Sequence, residues 1–164
     1  MRIGGAIIPI ALLVLCVRNF HLLLMKENLA LFLSLILFGY GGLLGILSTQ
    51  GNVTVPAHYH GSIVGMTIAF MGFIYWIMPN LRFAKVPFFL SNAQLYIYGA
   101  GQFFHITALE WLGGYGALRK VTEFPETNML PRVMFAVGGM MAVIGGFMFA
   151  LIVLKYMLKK VEQN

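Results

Sequence analysis

The sequence contains no aspartate, one cysteine and little charge of any kind. Asp, Glu, Lys and Arg make up 10% of its 164 residues, where a soluble domain carries about 25%. Together with 60% apolar residues, this scarcity excludes an ordinary soluble globule and describes an integral membrane protein of one domain, residues 1–164. The lone Cys16 sits in an apolar run, which excludes a disulfide framework and a cysteine-based metal site. It also fails as a lipoprotein cleavage site, because Leu15 stands where a small residue is needed. The run after Met1-Arg2 continues to Met25 and reads as a retained helix. Acid is scarcer than base, with five acidic residues, all Glu, against eleven Lys and Arg. In a soluble chain that excess would point to nucleic acid. In a membrane chain it is the loop bias that orients spans, and no nucleic-acid partner is expected.

What the sequence has in abundance is apolar runs of about 20 residues, the length that crosses roughly 30 Å of hydrocarbon. They fall at 3–25 (interrupted by Arg18), 29–48, 60–79, 91–112 and 130–158. The expected fold is all-α, an integral bundle of five transmembrane helices in a lipid bilayer. Five spans put the termini on opposite sides. With the N-terminus outside, the inner face holds seven basic residues: Arg18, Lys26, Arg82, Lys85, Lys155, Lys159 and Lys160. The outer face then holds four, Arg2, Arg119, Lys120 and Arg132, so N-out and C-in is expected. Glycines cluster at Gly39, Gly41, Gly42 and Gly45 and again at Gly138, Gly139, Gly145 and Gly146, where small residues let membrane helices approach closely. Met140, Met141 and Met148 read as gap-filling in such a bundle. No span reads as carrying a polar stripe, which speaks against a channel or transporter.

Two of the four histidines stand one residue apart in Val55-Pro56-Ala57-His58-Tyr59-His60-Gly61, at the mouth of the third run. Residues two apart on a helix point about 200° away from each other. Such a pair does not easily share one metal, but it can address two, one on each side of the helix. Imidazole suits iron, copper and zinc, and haem iron is often held by an axial histidine. Ionisable groups within spans are expensive and usually functional. The plainer alternative is that one or both simply hydrogen-bond at the membrane interface.

The segment "AHYHGSIVGMTIAFMGFIYWIMP" resembles the tenth helix of subunit I of the haem–copper oxygen reductase superfamily, in which a His-aromatic-His motif carries one haem ligand on each side. "QFFHITALEWLGGYGALRKVTEFPE" is similar to that family's eleventh helix and the loop after it. The first two runs then match helices eight and nine, and the last matches helix twelve. "PAHYHG" and "GGYGALRK" are closer to branches that include some nitric oxide reductases than to mitochondrial-type oxidases. The resemblance implies that His58 is the proximal ligand of a high-spin haem and His60 one axial ligand of a low-spin haem. By the same resemblance Tyr59 packs between the two macrocycles, and Arg119 and Lys120 bind haem propionates. His105 matches a structural histidine of helix eleven.

The family's fold has twelve helices. The three histidines for copper or non-haem iron, and the second low-spin haem ligand, lie on helices that have no counterpart here. The resemblance therefore implies the C-terminal part of a split subunit I, with a larger membrane chain supplying helices one to seven. The Met1-Arg2 start and Lys-rich end favour a native split over a cropped sequence. The implied function is that of a respiratory terminal oxidase in a prokaryotic inner membrane, reducing oxygen to water with electrons from a donor subunit, cytochrome c or quinol. Nitric oxide reduction on the same scaffold and a haem-free accessory or assembly subunit are the alternatives. "STQGNVTVPAHYH" lacks the His-Asp pair of mitochondrial-type enzymes, so their magnesium site is not expected. Run 3–25 lacks a proton-channel lysine, which leaves the route of proton uptake open. Glu110, the one acid inside a span, is either a proton-transfer or subunit-contact carboxylate, or a snorkelling group beside Trp111. His21 reads as interfacial.

Overall fold

A computed structural model describes residues 7–47, 53–114 and 129–159. All regular structure among them is helical: α1 (Ile7–Arg18), α2 (Phe20–Leu23), α3 (Leu29–Leu47), α4 (Thr54–Ile77), α5 (Phe88–Gly114) and α6 (Met129–Leu158). Short 3₁₀ turns at Lys26–Asn28 and Met78–Leu81 lead into α3 and out of α4. Among the described residues, three helical segments are long and apolar enough to cross a membrane: Lys26–Ile46, Thr54–Leu81 and Met129–Leu158.

The other two expected spans differ from these. Among the described residues the first run forms α1 over Ile7–Arg18 and is interrupted after it, so it is not one continuous rod. The end of α1 is set by Asn19, whose side-chain amide donates to Leu15 O at 2.9 Å beside the backbone N–H of the same residue at 3.1 Å. A short polar side chain that bonds nearby backbone competes with helix continuation. Four residues of α2 follow, and Asn28 Nδ2 bonds back to Leu22 O at 2.7 Å to fix the turn into α3. The fourth run is the 27-residue α5, about 40 Å long. It is not among the three because Ser91, Asn92, Gln94, Gln102 and Glu110 dilute its apolar character.

Helices α3 and α4 lie antiparallel, with backbones brought together at glycines. A Cβ on Gly41 would meet Gly61 Cα at 2.8 Å as well as the backbone nitrogen of Ser62, and one on Gly65 would meet Phe38 N at 2.7 Å. Helices α5 and α6 repeat the device: a Cβ on Gly101 would meet Ala142 N at 2.6 Å, and one on Gly145 would meet Tyr98 Cα at 2.7 Å. In lipid, where apolar side chains gain little by leaving the solvent, such close packing is what holds helices together.

The two pairs meet through an apolar cluster shared by α3, α4 and α5, and one buried polar residue bridges them as well. Gln94 is fully buried; it accepts from Tyr75 Oη on α4 at 3.1 Å and donates to Gly145 O on α6 at 2.9 Å. Gln94, Tyr98, Gln102 and His105 follow at steps of four, four and three, so α5 does carry a polar stripe, contrary to the sequence reading. Each member lies in an otherwise apolar window, which hides the periodicity. Gln94, Tyr98 and His105 all touch α6, at Gly145 and Phe135, while Gln94 and His105 also reach α4. Gln94→Leu keeps the volume but strands the Tyr75 hydroxyl. It is expected to lower bundle stability by about 1–2 kcal/mol, read as an earlier midpoint in an SDS unfolding titration.

Candidate haem-ligand site

The histidine pair belongs to the first two turns of α4 and not to a loop ahead of it. The helix starts at Thr54 with Val53 as N-cap. Pro56 is accommodated there because first-turn N–H groups have no intrahelical acceptor. Ala57 N donates to Val53 O at 3.2 Å, so regular bonding is established before His58.

The two faces of α4 are sharply different. Ala57, Gly61, Val64, Gly65, Ile68 and Met71 are buried against α3 and α5. Tyr59, Ile63, Met66, Phe70 and Phe73 are 50–66% exposed and form a continuous outward stripe. With about 100° per residue, Tyr59 lies on this outward face while His58 and His60 occupy its two borders.

Each border has its own partners. His58 turns toward α3, where its Nδ1 bonds Gly41 O at 2.6 Å. Its ring rests on Gly45, where an added Cβ would come within 2.6 Å of ring atoms Nδ1 and Cε1. His60 turns toward α5; its Nδ1 bonds Pro56 O at 3.0 Å, and its ring centroid is 5.6 Å from that of His105. The carbonyl oxygens can only accept, so in both residues Nδ1 carries a proton, and in the neutral ring Nε2 is the nitrogen with the lone pair. That is the tautomer a metal-binding histidine adopts, with the non-ligating nitrogen held by a carbonyl. Tyr59 stacks obliquely on His58, with ring centroids 5.3 Å apart.

His105 is half-buried, bonds Phe135 O at 3.1 Å and packs on the Phe135 ring at 4.4 Å. The proximity of His105 to His60 was missed in the sequence, because it depends on the α4–α5 register. His21 is exposed on α2. The Glu110 side chain on α5 has a buried Oε2 with no hydrogen-bond partner among the described residues. Such an oxygen is costly without a donor, so Glu110 can take a hydrogen bond from outside these helices or hold a proton. Arg119 and Lys120 lie outside the described residues.

No family model matches the sequence. The chain is 36% identical over 132 residues to the uncharacterized protein RP382 of Rickettsia prowazekii (strain Madrid E). The match covers 73% of this chain and 26% of that protein, so the chain spans about a quarter of the length of the relative it matches.

Proposed function

We propose that this chain is the haem-binding C-terminal portion of a split subunit I of a respiratory haem–copper oxygen reductase. Five spans, N-out and C-in, would complete a twelve-helix fold with a larger membrane chain. The observation that carries the reading is the pair of imidazoles on opposite borders of one outward helix face, each with Nδ1 bonded to a carbonyl and Nε2 free to ligate. The length of the relative adds support, since a protein about four times the matched stretch has room for the remaining helices.

The residues present fit two haems. His58 has space for its ring only because Gly45 lacks a Cβ, and His60 is exposed to a partner. No cluster of three or more His, Cys, Asp or Glu side chains forms among the described residues. By the resemblance, an iron held by either histidine would sit in a porphyrin, with any further protein ligand from the partner chain. The bound haems supply redox-active iron, low-spin for electron transfer and high-spin for binding a diatomic gas. The protein's own part is to hold each imidazole in one tautomer and orientation. His58 serves the high-spin haem and His60 the low-spin one, with Tyr59 between them. Arg119 and Lys120 supply positive charge for propionates, for which guanidinium and ammonium groups are apt partners. The exposed stripe of α4 gives the macrocycles and the partner chain an apolar surface. Copper or non-haem iron at the catalytic centre belongs to the partner. Reduction of nitric oxide is the second reading, favoured by "PAHYHG" and "GGYGALRK".

The deciding experiment is an optical spectrum of the complex purified through this chain. Low-spin and high-spin haem bands, both absent when the chain is deleted, are expected. A stable complex without haem absorption would instead identify an accessory subunit.

A further inference from the structure

At the end of the bundle away from the histidines, about 24 Å along α4 from His60, the start of α3, the end of α4 and the start of α5 enclose a cavity of about 310 Å³. Ala30, Trp76 and Leu95 give it apolar walls, while Glu27 and Lys85 bring charges of opposite sign to its lining. A second cavity of about 200 Å³ shares Glu27, Ala30, Gly72 and Trp76 and continues past Leu31 and Phe73. The two form one groove leading from charged groups to the apolar flank of the bundle.

The polar groups of this groove are not equally available. Asn92 Nδ2 is committed to Lys26 O at 3.1 Å, and Ser91 Oγ donates to backbone oxygens of its own first turn. Glu27 and Lys85 do not form an ion pair with each other; the Lys85 ammonium rests 4.9 Å over the Phe88 ring. An anion acceptor and a cation acceptor are thus held apart on one groove that opens beside lipid. An anionic headgroup would meet the Glu27 carboxylate unfavourably. A zwitterion with a primary ammonium satisfies both charges, donating to Glu27 and accepting from Lys85 through its phosphate. Trp76 sits where aromatic side chains mark the boundary between headgroup and acyl chain.

We propose that this groove is a binding site for phosphatidylethanolamine, with phosphate on Lys85, ammonium on Glu27 and an acyl chain along Trp76 and Phe73. The site is independent of the haem reading and stands or falls without it.

The test uses the assembled complex in phosphatidylcholine vesicles. The chain has two tryptophans, Trp76 and Trp111, so the difference between wild type and Trp76→Phe isolates the Trp76 emission. Phosphatidylethanolamine with brominated acyl chains is expected to quench that emission with about fivefold preference over the equivalent phosphatidylglycerol, the scale of one charge contact at a membrane surface. Glu27→Gln should bring the two lipids close to parity, and Lys85→Gln should weaken quenching by phosphatidylethanolamine. Both residues are exposed, so these changes leave the packed core alone. Equal quenching by both brominated lipids, stronger quenching by phosphatidylglycerol, or an unchanged preference in Glu27→Gln would each overturn the assignment.

Discussion

In the assembled complex, His60→Ala is expected to remove the low-spin haem bands while high-spin bands persist, and His58→Ala to do the reverse. The expectation follows from where the two side chains point. His58 is tied to α3 through Gly41 O, and His60 leans toward α5 and His105, so neither imidazole can substitute for its neighbour without unwinding α4. Turnover should fall by more than about a hundredfold in both, because loss of a supporting partner of a metal-bound histidine alone costs roughly 10–100-fold. Turnover cannot separate lost ligation from lost folding, so the spectrum is the informative measurement. His58→Gly with added imidazole provides the control: the free base can fill the vacated space and restore the high-spin bands only if ligation was the deficit. Retention of both sets of bands in both alanine variants, in complexes of normal subunit content, would remove the two-iron reading.

The orientation of that pair was legible in the sequence because it needs only helical geometry over three residues, and Thr54–Ile77 supplies the helix. Its surroundings were not. The acceptor for His58 is a backbone carbonyl 17 residues earlier on another helix. Nothing in the pattern around Gly41 marks it among neighbouring Gly39, Gly42 and Gly45. The α5 stripe was hidden for a related reason: a hydropathy window averages over the helix, whereas Gln94 and His105 act at single positions. The break at Asn19 is marked in the sequence only by Arg18-Asn19 inside an apolar run, a local competition by one asparagine side chain that the length of the run conceals. Apolar length reports that a helix is in lipid, and small or polar residues report which helix it touches; the second message is decoded only with the register known.

Gly41→Ala tests whether that register is what holds the site. A Cβ there would meet the Ser62 nitrogen and Gly61 carbonyl carbon and Cα, all backbone atoms that cannot move aside as a side chain can. The helices must separate, which costs about 1–3 kcal/mol or more for an overpacked contact. The same displacement carries the Gly41 carbonyl away from His58 Nδ1, so the damage should reach the histidine as well as the bundle. Gly39→Ala and Gly42→Ala are matched controls on the same helix: an added Cβ meets nothing within 4 Å at either position. Helix propensity alone would make them neutral or stabilising by up to about 1 kcal/mol. The expected pattern is therefore a lowered SDS midpoint and weakened high-spin haem absorption for Gly41→Ala, with both properties unchanged or improved in the controls. If Gly41→Ala behaves like Gly39→Ala, the close α3–α4 contact is not a feature of the assembled protein, and the support it gives to His58 goes with it.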